Sequence, residues 1–340
     1  MNEIVSVIIP NYNGVDTIRR CIDSVQNQSY KNIEIIVIDS KSTDNSVEII
    51  KRGYSNVVLI ENPYNAGWGI ACNIGIRKAK GGYYLMLNND AWMSPNCTRE
   101  LLKGISRDEK YGACASKILL GENNKVLDVA GGLLIFKDGL SVGRGHLELS
   151  EEYNKEEEVF CANDCCCLFR KEMFDDIGFY DDDFFIYADE TDIGWKAQLT
   201  GWKCVYNPKA IAYHGHVNTK ERYSSDFKAF YVERNRLFIT FKYFPWFLIF
   251  VGYGYSFLRY SYQVYYAYKY KGATGKYIQN KSLFKGFLIL LKAHIAAYSK
   301  FPRMLKKRMA IMKKKKISNS EIYGLFNKFG VSIKDIAQYG

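Results

Sequence analysis

Four apolar runs rich in β-branched residues stand early in the chain: Val5–Pro10 (VSVIIP), Ile33–Asp39 (IEIIVID), Val57–Glu61 (VVLIE) and Tyr83–Asn88 (YYLMLN). None alternates polar with apolar. A strand with one wet face must alternate, because successive side chains point to opposite faces. A run that is apolar throughout belongs to a strand covered on both faces, as in a parallel sheet. Between the first two runs Ile18, Cys21, Ile22 and Val25 recur at helical spacing, with Asp16 as the candidate N-cap. A second helix is expected from about Ser46, after the turn-rich DSKSTDNS, and a third over about Gly69–Lys80, stopped by Gly81-Gly82. This alternation predicts a doubly wound, mostly parallel α/β sheet, which binds ligands at the carboxyl ends of its strands. Pro10-Asn11, Asp39 and Asn88-Asn89-Asp90 fall at those ends.

The 340 residues allow one large α/β domain with an appendage, and 48% hydrophobic content is ample for a core. The expected division is a nucleotide-binding and catalytic domain over 1–222 and a helical, aromatic and basic region over 223–340. Charge divides in a similar place. Residues 220–340 hold 24 Lys/Arg against 5 Asp/Glu, in a chain whose net charge is +11, so the part before them is net acidic. Nine cysteines stand singly or as Cys165-Cys166-Cys167, without Cys-x-x-Cys pairs. That usage points to buried thiols in a reducing cytosol, and the opening residues show no secretory signal pattern. Between Tyr111 and Lys171 short strand-like runs (Ala113–Leu120, Gly132–Phe136) precede the acidic stretch ELSEEYNKEEEV, which reads as solvated.

Three positions have the residue types for chemistry. Asp90, directly after a buried strand, suits a hard divalent cation that in turn holds phosphate oxygens; the alternative is a plain Asn-Asn-Asp turn. Asp189, Glu190 and Asp192 open a helix after the aromatic run FFIY, where a carboxylate is partly desolvated and its pKa rises toward that of a useful general base. The helix dipole also favours acids in a first turn, so a capped, solvated helix start is the alternative there. His214 ends the apolar run AIAYH and can complete a mixed nitrogen and oxygen metal shell beside a carboxylate. No Gly-x-x-x-x-Gly-Lys-Ser/Thr loop exists, and Gly67–Cys72 (GWGIAC) has Cys72 where a dinucleotide fingerprint needs glycine.

Taken in order, these segments resemble the inverting, GT-A type glycosyltransferases of family 2, and within them the rhamnosyltransferase-like branch that builds bacterial surface polysaccharides such as capsule or O-antigen. The resemblance covers roughly residues 4–245. VSVIIPNYNG is similar to the family's first strand and nucleotide loop, VIDSKSTDNS to its Val-Asp-Asn-x-Ser-Thr-Asp-x-Ser, and NPYNAGWGIACNIGI to its Asn-x-Gly segment. LNNDA stands at its modified Asp-x-Asp, ADETD at its Glu-Asp-x-Asp, AYHGH at its metal-side histidine and ERNRLF at the basic segment that follows.

The resemblance implies that Asp39 reads a pyrimidine base, that Asn73 binds the nucleotide and that Pro10 and Asn11 line the base and ribose pocket. It places Asp90 and His214 on Mg2+ or Mn2+, Asn88 near the ribose or the metal, and Arg234 toward the diphosphate. Glu190 is the base by position, with Asp189 as fallback and Asp192 beside them. Two departures stand out: Asn88 replaces the first acid of Asp-x-Asp, and the Glu-Asp pair is inverted as Asp189-Glu190. The implied donor is dTDP-rhamnose, with UDP-hexoses as the alternative, and the implied acceptor a glycan or lipid-linked oligosaccharide. Two other classes compete. A nucleotidyltransferase needs a Gly-rich first loop with a trailing cation, and PNYNGVDTIRR has only Gly14. A non-catalytic scaffold for membrane or nucleic acid would exploit the basic tail alone, and no nucleic acid is expected.

Phe244–Leu258 (FPWFLIFVGYGYSFL) carries no charge and is shorter than the roughly 20 apolar residues of a spanning helix. Its aromatics and flanking cations fit an interfacial helix, and the Lys/Arg-rich segment after it fits anionic lipid. The expected location is therefore cytoplasmic, peripheral on the inner face of the cell membrane; a homodimer surface is the alternative use of the tail.

Overall fold

The computed structural model describes residues 3–122, 125–215, 226–268 and 283–339. The chain forms two compact units. The first contains Met1–Gly132, Gly143–Ala197 and Trp202–Val217; the second contains Leu133–Val142, Gln198–Gly201 and Asn218–Gly340. The expected boundary at 222/223 lies outside the described residues.

The chain begins as a repeating strand–helix unit: β1 (Val5–Asn11), α1 (Ile18–Gln26), β2 (Ile33–Asp39), α2 (Ser46–Gly53), β3 (Val57–Glu61), α3 (Trp68–Lys78) and β4 (Tyr83–Leu87). Strands β3, β2, β1 and β4 lie side by side and parallel, as the apolar runs predict. Val7, Ile8, Ile9, Ile36, Val37 and Ile38 are fully buried, each side chain worth about 1.5–3 kcal/mol in transfer from water. The spacing read on α1 is its buried face, Ile18, Cys21, Ile22 and Val25. Asp16 does not cap that helix. Thr17 holds the N-cap position, and the amides of Thr17 and Ile18 donate instead to the carbonyl of Gly14. Helix α3 lies close on β1 and β2 because Gly75 has no side chain. A Cβ there would come within 2.6 Å of Ile8 and 2.7 Å of Ile38.

After β4 come β5 (Ala91–Met93), α4 (Cys97–Ile105), β6 (Tyr111–Leu120) and β7 (Leu127–Ala130). A small two-stranded sheet of β8 (Leu133–Ile135) and β9 (Ser141–Gly143) follows, then β10 (Glu157–Val159), β11 (Cys166–Arg170), α5 (Lys171–Ile177), α6 (Asp189–Leu199) and β12 (Lys203–His214). The main sheet runs β10-β12-β6-β11-β4-β1-β2-β3, with β5 on β12 and β7 on β6. Strand β11 enters antiparallel between β4 and β6, so a parallel nucleus is extended into a mixed sheet. The acidic stretch before β11 folds as a short 3-10 turn at Ser150–Glu152 followed by β10.

The second unit is helical: α7 (Asp226–Tyr243), α8 (Trp246–Tyr268), α9 (Leu283–Ser299), α10 (Phe301–Met312), α11 (Asn319–Phe329) and α12 (Ile333–Tyr339). Ion pairs lie in its interior. Glu233 of α7 pairs with Arg236 and, at 3.1 Å, with Arg259 of α8. Arg259 also reaches Asp138, in the β8–β9 turn, at 2.7 Å, and Ser256 donates to the same carboxylate. Burial alone would raise the Glu233 carboxyl; the two guanidiniums outweigh it and hold the group well below the usual carboxylate range.

Candidate functional site

At the carboxyl end of β1 the side chain of Asn11 is a junction. Its Nδ2 donates to Asp39 Oδ1 at 2.8 Å and to Ser46 Oγ at 3.1 Å, while its Oδ1 accepts from Asn89 Nδ2 at 2.9 Å. Three strand ends are thereby tied together. Gly14 leaves room for this: a Cβ there would lie 2.3 Å from Asn11 Oδ1. Asp39, only 2% exposed, also accepts from the Ser42 amide at 2.9 Å and the Ser42 hydroxyl at 2.5 Å. Each bond holds the carboxylate in one orientation at the strand end.

The Asn88–Asp90 turn departs from β4 and delivers its residues to different partners. Asn88 Oδ1 accepts from Trp68 Nε1 at 3.1 Å, and Asn89 serves Asn11. Asp90 comes next to β5, which pairs antiparallel with the end of β12 so that Ala91 faces His214. The Gly215 amide closes the pairing on the Asp90 carbonyl at 2.8 Å. That register sets His214 Nε2 3.1 Å from Asp90 Oδ1, and Asp128 of β7 takes the other ring nitrogen, Nδ1, at 2.7 Å. Burial works against the imidazolium, but Cys165, Asp128 and Asp90 outweigh it and hold the ring well above its ordinary pKa. The Cys165 thiol beside it is pushed up to about 11, chiefly by burial.

These residues fit a divalent cation shared with a diphosphate. The two carboxylates favour positive charge between them, which a cation would supply in place of the proton the ring must give up. The imidazole whose Nδ1 is held by a carboxylate would then present Nε2 as a ligand in a fixed orientation. Among the described residues no group of three or more His, Cys, Asp or Glu side chains is placed to hold a metal by itself. A cation here would take Asp90 and His214 from the protein and its other ligands from phosphate and water, the habit of Mg2+ and Mn2+ at nucleotide sites.

The acids of α6 approach the sheet edge through α3. Gly67, at φ +82°, permits the Trp68 amide to donate to the Phe185 carbonyl at 2.8 Å; a Cβ on Gly67 would stand 2.2 Å from that oxygen. Phe185, Tyr187 and Ala188 all have positive φ, so the segment before α6 holds three left-handed non-glycine residues. It ends at Asp189, whose Oδ1 would be 2.7 Å from a Cβ on Gly69. That oxygen is buried without a hydrogen-bond partner among the described residues.

Desolvation, then Glu190 and Asp192, push the Asp189 carboxyl well above its ordinary range. Glu190 keeps part of its surface open, yet enough protein surrounds it that desolvation raises its pKa too. Asp192 is different: it is fully buried in an ion pair with Lys196 at 2.8 Å.

Sequence reasoning missed three residues here. Asp128 orients His214. Asp164 is 6% exposed, accepts from the Tyr180 hydroxyl at 3.0 Å, and is raised first by burial and then by Glu190 and Asp189. Tyr180 packs edge-on against Trp68, with ring centres 5.1 Å apart. A lone acid inside an apolar run, as in VLDVAGG and FCANDCCC, was the available signal. Asn73 sits on the buried side of α3 and exchanges two bonds with the Tyr180 backbone, at 2.9 and 3.0 Å, and a third with Asp182. Its amide acts on the loop that leads to the acids. Pro10 occupies β1, paired with Ile38. Trp195 is core, edge-on to Phe160. Arg234 belongs to the second unit, where its guanidinium donates to Asn235 Oδ1 and lies over the Tyr231 ring.

Residues 6–178, just over half of the chain, match the family described as Glycosyl transferase family 2. The chain belongs to glycosyl transferase family 2. Of the candidate site residues in this family 2 chain, Asp39 and Asp90 fall inside the matched segment, whereas Glu190 and His214 lie beyond it. Over 156 residues the chain is 34% identical to the poly(ribitol-phosphate) beta-glucosyltransferase of Bacillus spizizenii, a stretch that covers 40% of this chain and 24% of that relative. The chain thus spans about a quarter of the relative it matches. In fold it is similar to GalNAc-T7 solved with UDP, GalNAc and Mn2+, with TM-score 0.61 and 19% identity over 76% of this chain and 51% of that one. It is also similar to the mannosyltransferase PcManGT of Pyrobaculum calidifontis solved with GDP-Man and Mn2+, with TM-score 0.51 and 17% identity over 96% and 88%. At such identities the likeness is one of fold, here GT-A.

Proposed function

We propose that this protein is a metal-dependent, inverting glycosyltransferase that moves a hexose from a pyrimidine nucleotide sugar to a hydroxyl of a glycan or lipid-linked acceptor in surface polysaccharide synthesis. The observation that carries this reading is the Asp90–His214–Asp128 arrangement, on the same first unit as Asp39 and Glu190. Asp39, fixed by Asn11 and Ser42, offers its remaining acceptor capacity to the imide N–H of a uracil or thymine. Asp90 and His214 would hold Mg2+ or Mn2+, which when bound neutralises charge developing on the leaving diphosphate.

Glu190 takes the proton of the acceptor hydroxyl as it attacks the anomeric carbon from the face opposite the nucleotide. Burial pushes the Asp189 carboxyl well above its ordinary range, whereas Glu190, raised too but with part of its surface open, is the better placed of the two to take a proton. The strained segment Phe185–Ala188 fixes where that carboxylate stands relative to α3, and Trp68 with Tyr180 forms an apolar wall that helps keep water from the sugar. We take dTDP-rhamnose as the first donor to try and UDP-hexoses as the second, the latter favoured by the glucosyl-transferring relative and the UDP-bound structural neighbour. Work at the inner membrane face suits a lipid-linked acceptor.

The test is a panel of dTDP-, UDP- and GDP-sugars with and without Mn2+ or Mg2+, read by thermal shift and then by product formation. Stabilisation by a pyrimidine nucleotide sugar only with the metal supports the reading. A panel in which no donor stabilises the protein with Mn2+ overturns it.

A further inference from the structure

The second unit shows water two rows of large apolar side chains. On α8, Trp246, Phe250, Tyr253 and Phe257 recur every three or four residues, with Phe250 79% and Phe257 72% exposed. On α9, Phe287, Leu291, Ile295 and Tyr298 do the same, with Phe287 59% and Ile295 61% exposed. The rows meet, since the hydroxyls of Tyr253 and Tyr298 are 2.5 Å apart. A helix face turned to water ordinarily carries charge. These faces carry phenyl and aliphatic groups side by side, which marks a surface built to be covered.

Charge decides what covers it. From Arg234 to Ser320 the sequence holds 19 Lys/Arg and not one Asp or Glu. Lys292 on α9 and Lys306 on α10 stand exposed in this stretch. A second copy would set this stretch, which has cations and no acids of its own, against itself and offer it no complementary charge. No helix among the described residues is long and apolar enough to cross a membrane, so the rows can lie on a bilayer without spanning it.

We propose that the joined rows of α8 and α9 dock on an anionic lipid bilayer, their aromatic and aliphatic tips in the interface and the neighbouring lysines over the headgroups. This deepens the reading of a transferase that works at a membrane, and its test does not depend on transfer. The full chain is sedimented at low salt with vesicles of phosphatidylcholine alone or mixed with equal phosphatidylglycerol. The expected result is pelleting with the mixed vesicles only, release by high salt, and a loss of roughly tenfold or more in Phe250→Glu/Phe287→Glu.

Those side chains lie in solvent, so the variant keeps its circular dichroism and its thermal shift with nucleotide sugar and Mn2+. Lys292→Glu/Lys306→Glu weakens pelleting as well. Wild-type protein left in the supernatant with anionic vesicles overturns the proposal. So does a Phe250→Glu/Phe287→Glu variant that pellets as wild type, or one whose only change is from dimer to monomer in light scattering.

Discussion

The carboxylate of Asp128 lies 2.7 Å from Nδ1 of His214, and this contact turns the opposite edge of the ring to Asp90, 3.1 Å away. Asp128→Asn removes the charge and leaves the shape. It is expected to weaken Mn2+-dependent donor binding by about 10–100-fold, measured by calorimetry, while nucleotide binding without metal is unchanged. Asp90→Ala should remove the metal-dependent stabilisation altogether.

Glu190→Gln should lower kcat by roughly 10²–10⁴-fold with little change in the donor KM, because a general base acts on the acceptor proton and not on nucleotide affinity. A base must be anionic, and desolvation raises the Glu190 pKa. The acid limb of the pH–rate profile is therefore expected above the ordinary glutamate value of about 4.3, with activity rising as pH rises through it. Full activity in the variant would shift the role to another acid.

Gly67→Ala introduces a Cβ 2.2 Å from the Phe185 carbonyl at a position with φ +82°. The expected loss of stability exceeds about 1 kcal/mol, seen as a lower Tm. Activity should fall further than the Tm shift accounts for, because the displaced segment ends at the α6 acids.

Glu233→Gln leaves Arg236 and Arg259 buried with one less counter-charge and should cost about 3–5 kcal/mol in urea unfolding. The folded pKa of Glu233 is depressed, so its contribution is present above the unfolded value of about 4.3 and disappears as pH falls through the folded one. The wild-type advantage over the variant should accordingly begin to shrink as pH falls below about 4.3 and be lost only in strong acid.

Much of the sheet was readable because burial on both faces leaves strands without alternation. Asp39 and Asp90 stood out where such runs stop. Asp128 and Asn73 were harder for a common reason. Asp128 finds His214 86 residues away, and Asn73 clasps the Tyr180 backbone 107 residues away, by strand register and helix packing that no local pattern encodes. Asn73, which the resemblance places at the nucleotide, has its side-chain amide engaged with the loop leading to the acids. Strand β8 falls in the strand-like run Gly132–Phe136, but the place of the β8–β9 hairpin in the helical unit was hidden for the same reason. Its place in the helical unit comes from Asp138 meeting Arg259 across 121 residues. Arg234 and Arg236 look alike in ERNRLF, yet one lies over an aromatic ring and the other sits in the ion-pair network.

The pairing of Ala91 with His214 joins an early turn to the end of the last strand of the sheet. During synthesis, a ribosome that has released Asp90 must still make more than a hundred residues before the histidine appears. Up to then the growing chain can order its parallel strands but has no finished cation site. On the proposed function, capture of a cation by Asp90 and His214 would thus be a late event, and a fragment ending at residue 178 would retain the family's matched segment while lacking both His214 and Glu190.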